Sequence, residues 1–196
     1  MFTRGMMFPG GREPILQGDG VLLRYPQMSD YAQWSRLRDE SREFLAPWEP
    51  TWAADELSRT AFRRRLRRYQ REIRNDVAYP FLLFRRPDDT LMGGCTLSNV
   101  RRGVTQSAAV GYWVGSRYAR HGHMFAALNA MLPFVFGVLA LHRLEAACIP
   151  ENEPSRSLLL KMGFHEEGRA RSYLQINGEW RDHILFALLE DDALVG

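Results

Sequence analysis

The chain has 196 residues, of which 45% are hydrophobic and 25% are charged, with 26 basic side chains against 23 acidic ones. Domains commonly span about 100–200 residues, so this length predicts one compact domain. The composition excludes a disordered chain and a polytopic membrane protein. The net charge of +3 is mildly basic and suits an anionic ligand without indicating which one.

Two cysteines, Cys95 and Cys148, lie in apolar sequence surroundings and are too few for a disulfide framework or a cysteine-rich metal site. They predict buried free thiols in a reducing, cytoplasmic compartment. Residues 1–20 are rich in glycine and lack a continuous apolar stretch, which argues against a signal peptide and predicts a loose leader. The apolar segment 124–141 is interrupted by polar, proline and glycine residues, so a buried helix is expected rather than a membrane span.

The predicted elements begin with a strand at Val21–Tyr25 and a helix capped by Ser29, after which apolar residues recur at helical spacing. Two prolines within Phe44–Pro50 predict a rigid loop. The clearest helix spans Asp55–Arg74, because one stripe of it is apolar and much of the remainder is arginine.

The rest of the chain alternates between strands and helices. The predicted elements are strands at Tyr79–Arg85, Leu91–Asn99 and Ala108–Val114, a long buried helix ending near Leu141, a strand at Arg143–Ile149, a short helix at Ser155–Met162, and a hairpin of Arg171–Ile176 and Trp180–Leu188. The turn of that hairpin is Asn177-Gly178, a strong hairpin signal. This order predicts an α+β domain with a mixed sheet over residues 21–190.

The most informative segment is Ala109–Ala127, with the sequence AVGYWVGSRYARHGHMFAA. A strand passes through the loop Gly115–Gly122 into a helix, and such a junction presents unpaired N–H groups at the positive end of the helix dipole. It can hold a pyrophosphate, and Gly122 permits close approach of the backbone. An ordinary connection between strand and helix is the alternative. The segment carries neither the Rossmann nor the P-loop fingerprint.

A second set of motifs follows between Leu144 and Leu189. In order, they are Asn-x-x-Ser, a leucine-rich turn, Lys-x-Gly-Phe, Glu-Gly and Tyr-Leu-x-Ile-Asn-Gly-x-Trp-x-Asp-His. Together with Phe-Leu-x-Pro-Trp-Glu-Pro at Phe44–Pro50 and the Leu-His-Arg that starts at Leu141, they make the chain resemble the Gcn5-related N-acetyltransferases. Within that superfamily the chain is similar to the RimJ/RimL branch, which acetylates protein N-termini. The resemblance covers roughly residues 20–190.

The resemblance implies a mostly antiparallel, twisted sheet that splays at an acetyl-CoA site, is flanked by helices and ends in a hairpin. Acetyl-CoA would be the co-substrate. The implied cofactor-binding residues are Tyr112, Trp113, Val114, Arg120, His121, Gly122, His123, Met124, Asn152 and Ser155. The first three would offer backbone groups to the pantetheine and thioester, the next five would receive the pyrophosphate, and the last two would lie along the pantetheine and beside the thiol.

The chain departs from the family pattern at the pyrophosphate loop. The pattern Gln/Arg-x-x-Gly-x-Gly/Ala keeps only Gly122, since its first place is Ala119 and its last is Met124. Arg120 or Arg117 would then supply the missing positive charge. No metal is expected, because the two histidines around Gly122 have no further ligands at suitable spacing.

The familiar acid–base pair of the family is also missing. The tyrosine that protonates the leaving thiolate corresponds to Leu159, and the acidic residue before the final hairpin falls near Leu174. Ser155 is therefore the expected proton donor, with Ser157 and Tyr173 in support. A peptide α-amine has a pKa of about 7.7–8.0, so a water chain to a surface carboxylate is the expected base. The structural alternative for Ser155 is a helix N-cap.

Some features admit both a structural and a functional interpretation. Eight arginines lie in Arg59–Arg74, which indicates either a solvated helix face or a docking surface for ribosomal RNA or an acidic partner. Trp48 and Trp52 either pack or line a peptide groove. Asp182 and His183 either contact substrate or hold the strand.

The resemblance implies acetyl transfer to a primary amine by direct attack in a ternary complex. The preferred acceptor is the N-terminal α-amine of a protein, because no acidic cluster suited to a small cation is evident in the sequence. A ribosomal protein is the expected acceptor. A small-molecule amine such as an antibiotic, a polyamine or an amino acid is the first alternative. A non-catalytic module that binds acyl-CoA or RNA is the second. A cytoplasmic protein without membrane contact is expected.

Overall fold

A computed structural model describes residues 13–193 of the chain. The eight strands are β1 (Ile15–Gly18), β2 (Val21–Arg24), β3 (Tyr79–Arg85), β4 (Thr90–Arg101), β5 (Ser107–Val114), β6 (Arg143–Cys148), β7 (His165–Ile176) and β8 (Glu179–Leu189). They form one sheet in the order β1-β2-β3-β4-β5-β6-β8-β7. Within the described part, every neighbouring pair is antiparallel except β5–β6, which is parallel. The predicted α+β class with a mixed, mostly antiparallel sheet is confirmed.

Helices cover both faces of this sheet. They are α1 (Tyr31–Glu40), α2 (Arg42–Leu45), α3 (Arg59–Arg74), α4 (His123–Leu132), α5 (Glu153–Lys161) and α6 (Glu190–Ala193). Strand β3 shows how the faces divide, because successive side chains of a strand point to opposite sides. Phe81 and Leu83 join the larger core, which includes α4, whereas Leu82 and Phe84 join a smaller core with α1 and α3.

The strands and the hairpin predicted between residues 79 and 188 are confirmed, with ends that differ by a few residues. The predicted loose leader is wrong at β1, because residues 15–18 pair antiparallel with β2. The remainder of that leader, residues 1–12, lies outside the described residues. The long apolar helix consists of α4 followed by a π-helical segment, Pro133–Val138. No helix within residues 13–193 is long and apolar enough to cross a membrane.

Two predicted helix starts and one predicted loop differ from the structure for local reasons. Ser29 lies inside a short 3-10 turn, and the capping side chain there is Asp30, which accepts the Gln27 N–H at 2.7 Å. Helix α3 begins at residue 59 rather than 55, because Ser58 caps it by accepting the N–H of Ala61. The predicted rigid loop holds α2 and a 3-10 turn, since Pro47 lies in a first turn, where proline is tolerated.

The sheet opens between β5 and β6. Their parallel pairing ends at Ala109–Glu145, although β5 stays paired with β4 as far as Val114 and β6 stays paired with β8 as far as Cys148. Backbone groups on the facing edges of residues 110–114 and 146–148 are therefore free of strand pairing. This confirms the predicted splay, and it creates the opening around which the site is built.

Candidate functional site

Two hydroxyl groups meet across the opening of the sheet. Tyr112 lies on β5 and Ser155 lies on α5, and Tyr112 Oη is 2.8 Å from Ser155 Oγ. Burial raises the pKa of the Tyr112 phenol well above its usual range, although the hydrogen bond with Ser155 acts in the opposite direction. The phenol therefore stays protonated near neutral pH and can donate its hydrogen to the serine oxygen.

The Ser155 hydroxyl is not used to cap its helix. The N-cap of α5 is Asn152, whose Oδ1 accepts the Ser155 backbone N–H at 3.2 Å, and Pro154 occupies the first turn. The alternative that Ser155 is an N-cap is therefore wrong, and so is the predicted helix start at residue 155. Asn152 keeps its side-chain NH2 group for other partners.

Cys148 ends β6 beside this pair of hydroxyls. Burial raises the pKa of its thiol, although the Ser155 hydroxyl beside it lowers that pKa. Cys95 lies in the larger core, and its pKa is likewise raised by burial. Both are buried free thiols, as the sequence predicts. At neutral pH neither is a thiolate nucleophile.

The junction between β5 and α4 has the backbone geometry of an anion site. Gly122 is the N-cap of α4 with φ of +81°, and no side chain caps the helix there. The first hydrogen bond inside the helix runs from the Ala126 N–H to the Gly122 carbonyl at 3.0 Å. The N–H groups of residues 123–125 precede that bond and have no acceptor within the helix. A Cβ at Gly122 would meet nothing within 4 Å, so the loop leaves open space for a ligand.

Positive charge surrounds this junction. Arg120 is exposed, whereas Arg117 lies 3.5 Å from Glu40, so Arg120 is the freer of the two predicted phosphate ligands. The rings of His121 and His123 stack with centres 6.1 Å apart. Burial lowers the pKa of His123, and the neighbouring His121 lowers it further, so this residue tends to be neutral. Across residues 13–193, no group of three or more side chains suited to a metal ion is found.

The side chains of three predicted cofactor residues are packed in or against the two cores. Met124 is buried, with its sulfur 3.4 Å from the sulfur of Cys95. Trp113 packs in the smaller core, and Val114 packs against the larger one. The packing of these side chains favours contact with a ligand through the backbone groups of the three residues.

A side-chain wall, formed by Arg38, Glu49, Trp52 and Trp113, lies on the face of the sheet opposite Tyr112. The Arg38 guanidinium carbon is 4.3 Å from the ring centre of Trp52 and 4.8 Å from that of Trp113. Arg38 also donates two hydrogen bonds to Glu49, at 2.7 and 2.6 Å, and Glu49 accepts the Trp52 indole N–H at 2.8 Å. The backbone of Glu49 accepts the N–H of Asn177, at the tip of the hairpin. Trp52 is thus a packing anchor that fixes the segment facing the hairpin.

A cavity of about 540 Å³ lies on the sheet at the closed end of the opening, and Tyr173 contributes to its lining. Its carboxylates are neutralised by arginines, because Arg101 and Arg143 lie 2.7 and 3.0 Å from Glu145 and Arg143 also pairs with Glu167. Tyr173 is half exposed and packs against the ring of His183. The tyrosine hydrogen-bonded to Ser155 is Tyr112, which the sequence had indicated only as a backbone ligand.

Asp182 has a structural partner in the hairpin. It accepts the Ser172 backbone N–H at 2.8 Å and a bond from Arg169 at 2.9 Å. This contact lies where β7 is irregular relative to β8, between residues 170 and 174. Of the two interpretations left open by the sequence, the structure shows the hydrogen bond that holds the strand.

The family of the chain follows from comparison with known proteins. A model of the acetyltransferase (GNAT) domain matches residues 21–165. The chain therefore belongs to the GNAT acetyltransferase family, and it is an N-acetyltransferase of the RimJ/RimL-like branch.

Individual relatives support the same branch. The chain is 35% identical to the [ribosomal protein uS5]-alanine N-acetyltransferase of Escherichia coli (strain K12), over 92% of this chain and 93% of that protein. It is 34% identical to the probable N-acetyltransferase YjcK of Bacillus subtilis (strain 168), over 91% of this chain and 98% of that protein. The structure of Mycobacterium smegmatis RimJ in complex with CoA-disulfide superposes with a TM-score of 0.84 at 36% identity, over 92% and 88% of the two chains.

Proposed function

We propose that this protein transfers the acetyl group of acetyl-CoA to the N-terminal α-amine of a protein, and that the acceptor is a ribosomal protein. The observation that carries the proposal is the pair Tyr112–Ser155, placed at the opening between β5 and β6. The ribosomal-protein acceptor is suggested by the relative that modifies uS5. Attack is direct, within a ternary complex.

The residues around the opening fit the cofactor. The backbone of residues 112–114 faces the pantetheine, the unpaired N–H groups at the start of α4 receive the pyrophosphate, and Arg120 adds positive charge. The Asn152 amide donates to the pantetheine arm. Acetyl-CoA supplies an activated thioester, so the protein needs no metal for this chemistry.

The hydroxyls of Ser155 and Tyr112 have different roles in the proton transfer. The amine nitrogen forms a bond to the acetyl carbon while the bond from that carbon to sulfur breaks. Ser155 gives its proton to the departing sulfur and regains a proton from water, while the amine nitrogen loses its proton to the same water chain. Tyr112 donates a hydrogen bond to Ser155 Oγ, so the hydroxyl hydrogen of Ser155 is free to point at the sulfur. This arrangement takes the place of the missing family tyrosine, since Leu159 at that position is fully buried in the core.

The preference for a protein N-terminus follows from the pKa values of amines and from the pairing of nearby carboxylates. At pH 7.5 roughly a quarter to two fifths of an α-amine is neutral, against about a thousandth of a lysine amine. Loss of the amine proton to a water chain favours the amine that loses its proton more readily. The carboxylates of Glu145 and Glu167 are paired with arginines, so they are not free to hold a small cation. These observations favour a protein N-terminus over a polyamine or an antibiotic.

We also propose that the acceptor is met at the ribosome through a contact made by helix α3. The eight arginines of that helix support such a contact, and they lie outside the acetylation site. The chemistry of acetyl transfer does not depend on it.

The test is a peptide assay with acetyl-CoA in excess. One peptide carries a free N-terminal alanine and an internal lysine, and its control has the same sequence with the α-amine formylated. CoA release with the acetyl group on the α-amine, located by tandem mass spectrometry, is expected for the first peptide alone. Equal acetylation of both peptides would assign the lysine as acceptor and overturn the proposal. If the protein binds acetyl-CoA but releases no CoA when peptides or small amines are offered, the protein is a non-catalytic module instead.

A further inference from the structure

Seven of the eight arginines of helix α3 divide into two groups that differ in their partners, and the eighth, Arg59, lies 5.6 Å from the ring centre of Tyr31. Three of them form ion pairs: Arg64 with Asp55 at 2.7 Å, Arg65 with Glu56, and Arg68 with Glu72 at 3.5 Å. Four others are exposed and follow one another at spacings of four, four and three residues: Arg63, Arg67, Arg71 and Arg74. Within residues 13–193, none of these four has a carboxylate within 4.0 Å. We call these four residues the arginine stripe.

The spacing places the arginine stripe along one side of the helix, since residues three and four apart are neighbours on a helix surface. At a rise of about 1.5 Å per residue, the stripe extends roughly 16 Å. The opposite side of α3 is held in place, because Phe62 is buried in the smaller core and Leu66 packs against it. The stripe therefore faces solvent from a rigid support.

This arrangement fits a polymer with regularly repeated negative charge. Successive arginines of the stripe are about 6, 6 and 4.5 Å apart along the helix axis. A guanidinium group presents a planar fork of donors that matches phosphate oxygens and keeps its charge at every physiological pH. Nearby acidic residues of this chain neutralise the other flank of the helix and leave the stripe uncompensated. An unbroken row of arginines suits a nucleic-acid backbone better than an acidic peptide, whose carboxylates are mobile.

We infer that Arg63, Arg67, Arg71 and Arg74 bind the phosphate backbone of RNA, independently of its base sequence. The site lies outside the acetylation machinery, so it anchors the enzyme beside an RNA-containing particle without taking part in the chemistry. RNA affinity should therefore respond to substitutions that leave acetyl transfer to a short peptide unchanged.

The test compares two double variants of the same helix. R67Q/R71Q removes two arginines of the stripe, and R64Q/R68Q removes two ion-paired arginines at the same spacing. Both variants lose the same charge, and glutamine and arginine have similar helix propensities. The probe is a fluorescein-labelled RNA hairpin, and its binding is followed by fluorescence anisotropy between about 50 and 200 mM NaCl.

The wild-type protein should lose affinity with a slope of log K against log[salt] of roughly −3 to −4, the value for four phosphate contacts. R67Q/R71Q should bind about tenfold or more weakly, with a slope shallower by about two. R64Q/R68Q should stay within about threefold of the wild type, because its arginines are already paired. Peptide acetylation should be unchanged in both variants, which shows that each is folded.

Three results would overturn the inference. The first is no binding of the hairpin by the wild-type protein at the lower salt concentration. The second is an equal loss of affinity in the two variants, which would indicate a general effect of net charge. The third is binding of poly-glutamate that competes fully with the hairpin, which would assign the surface to an acidic protein. Each of these results leaves the peptide assay for acetyl transfer unaffected.

Discussion

The two halves of the site are built in different ways. The cofactor half is a continuous piece of chain that runs from β5 through Gly122 into α4 and works through backbone groups. The half that we propose faces the acceptor, called the acceptor half, joins distant segments, since Arg38 of α1 is held between Trp52 and Trp113 while Glu49 contacts the hairpin. A site made of backbone groups suits the cofactor, which is the same for every acceptor, whereas side chains can distinguish one acceptor from another. Specificity should therefore reside in the acceptor half.

The largest expected effect is at the point where the two halves meet. Ser155→Ala removes the proposed proton donor and should lower kcat by about a hundredfold or more, the range for general acid catalysis. The affinity for acetyl-CoA should change by less than about threefold, since a hydroxyl contributes little uniform binding. Steady-state kinetics and calorimetry check the two parts. Ser157→Ala, on the exposed side of the same helix, is the control, and equal activity of the two variants would reduce Ser155 to a structural residue.

A substitution confined to the cofactor half comes next. Gly122→Val forces a β-branched residue into φ of +81°, which strains the loop that holds the phosphates. We expect acetyl-CoA affinity to fall by about tenfold to a hundredfold, measured by titration calorimetry. Gly103→Val is the matched control, because Gly103 has φ of +72° and open space around it but lies in a different loop. A similar loss in both variants would indicate general destabilisation instead.

Removal of the second hydroxyl should have a smaller effect. Tyr112→Phe keeps the ring and removes the hydrogen bond to Ser155, which should lower kcat by about tenfold. Because burial raises the pKa of Tyr112 above its usual range, the phenol stays protonated as the acceptor amine loses its proton. The wild-type kcat should therefore rise with pH and level off between about pH 8 and 10. A decline in that range that disappears in Tyr112→Phe would contradict the assigned role.

The smallest effect is expected in the acceptor half. Glu49→Gln weakens the bidentate contact with Arg38 and loosens the wall that faces the hairpin. The KM for the peptide should rise about threefold to tenfold, while acetyl-CoA affinity stays the same. Asp39→Asn, which alters an exposed pair with Arg42, should change neither quantity. If Glu49→Gln changed the affinity for acetyl-CoA but not the KM for the peptide, the cofactor and acceptor halves would not be separate.

The same division explains what the sequence could predict. The loop that leads through Gly122 into a helix follows from a short local pattern, the splay of the sheet follows from the family resemblance, and the structure has both. The sequence suggested Ser155 as a helix cap, whereas Asn152 is the residue in that place. The hydrogen bond between Tyr112 and Ser155 joins residues 43 positions apart, and no local pattern indicates it. The Arg38–Glu49 ion pair is likewise not indicated by any local sequence pattern, because it depends on how α1 packs against the sheet. Strand β1 was missed because its residues resemble a glycine-rich leader.

The account depends most on the opening of the sheet as an acetyl-CoA site. Titration calorimetry of the wild-type protein with acetyl-CoA, repeated with CoA and with ATP, tests it directly. We predict micromolar binding of acetyl-CoA and of CoA, and no comparable binding of ATP, because the pantetheine arm occupies the space between β5 and β6. No binding of acetyl-CoA at millimolar concentration would contradict the account.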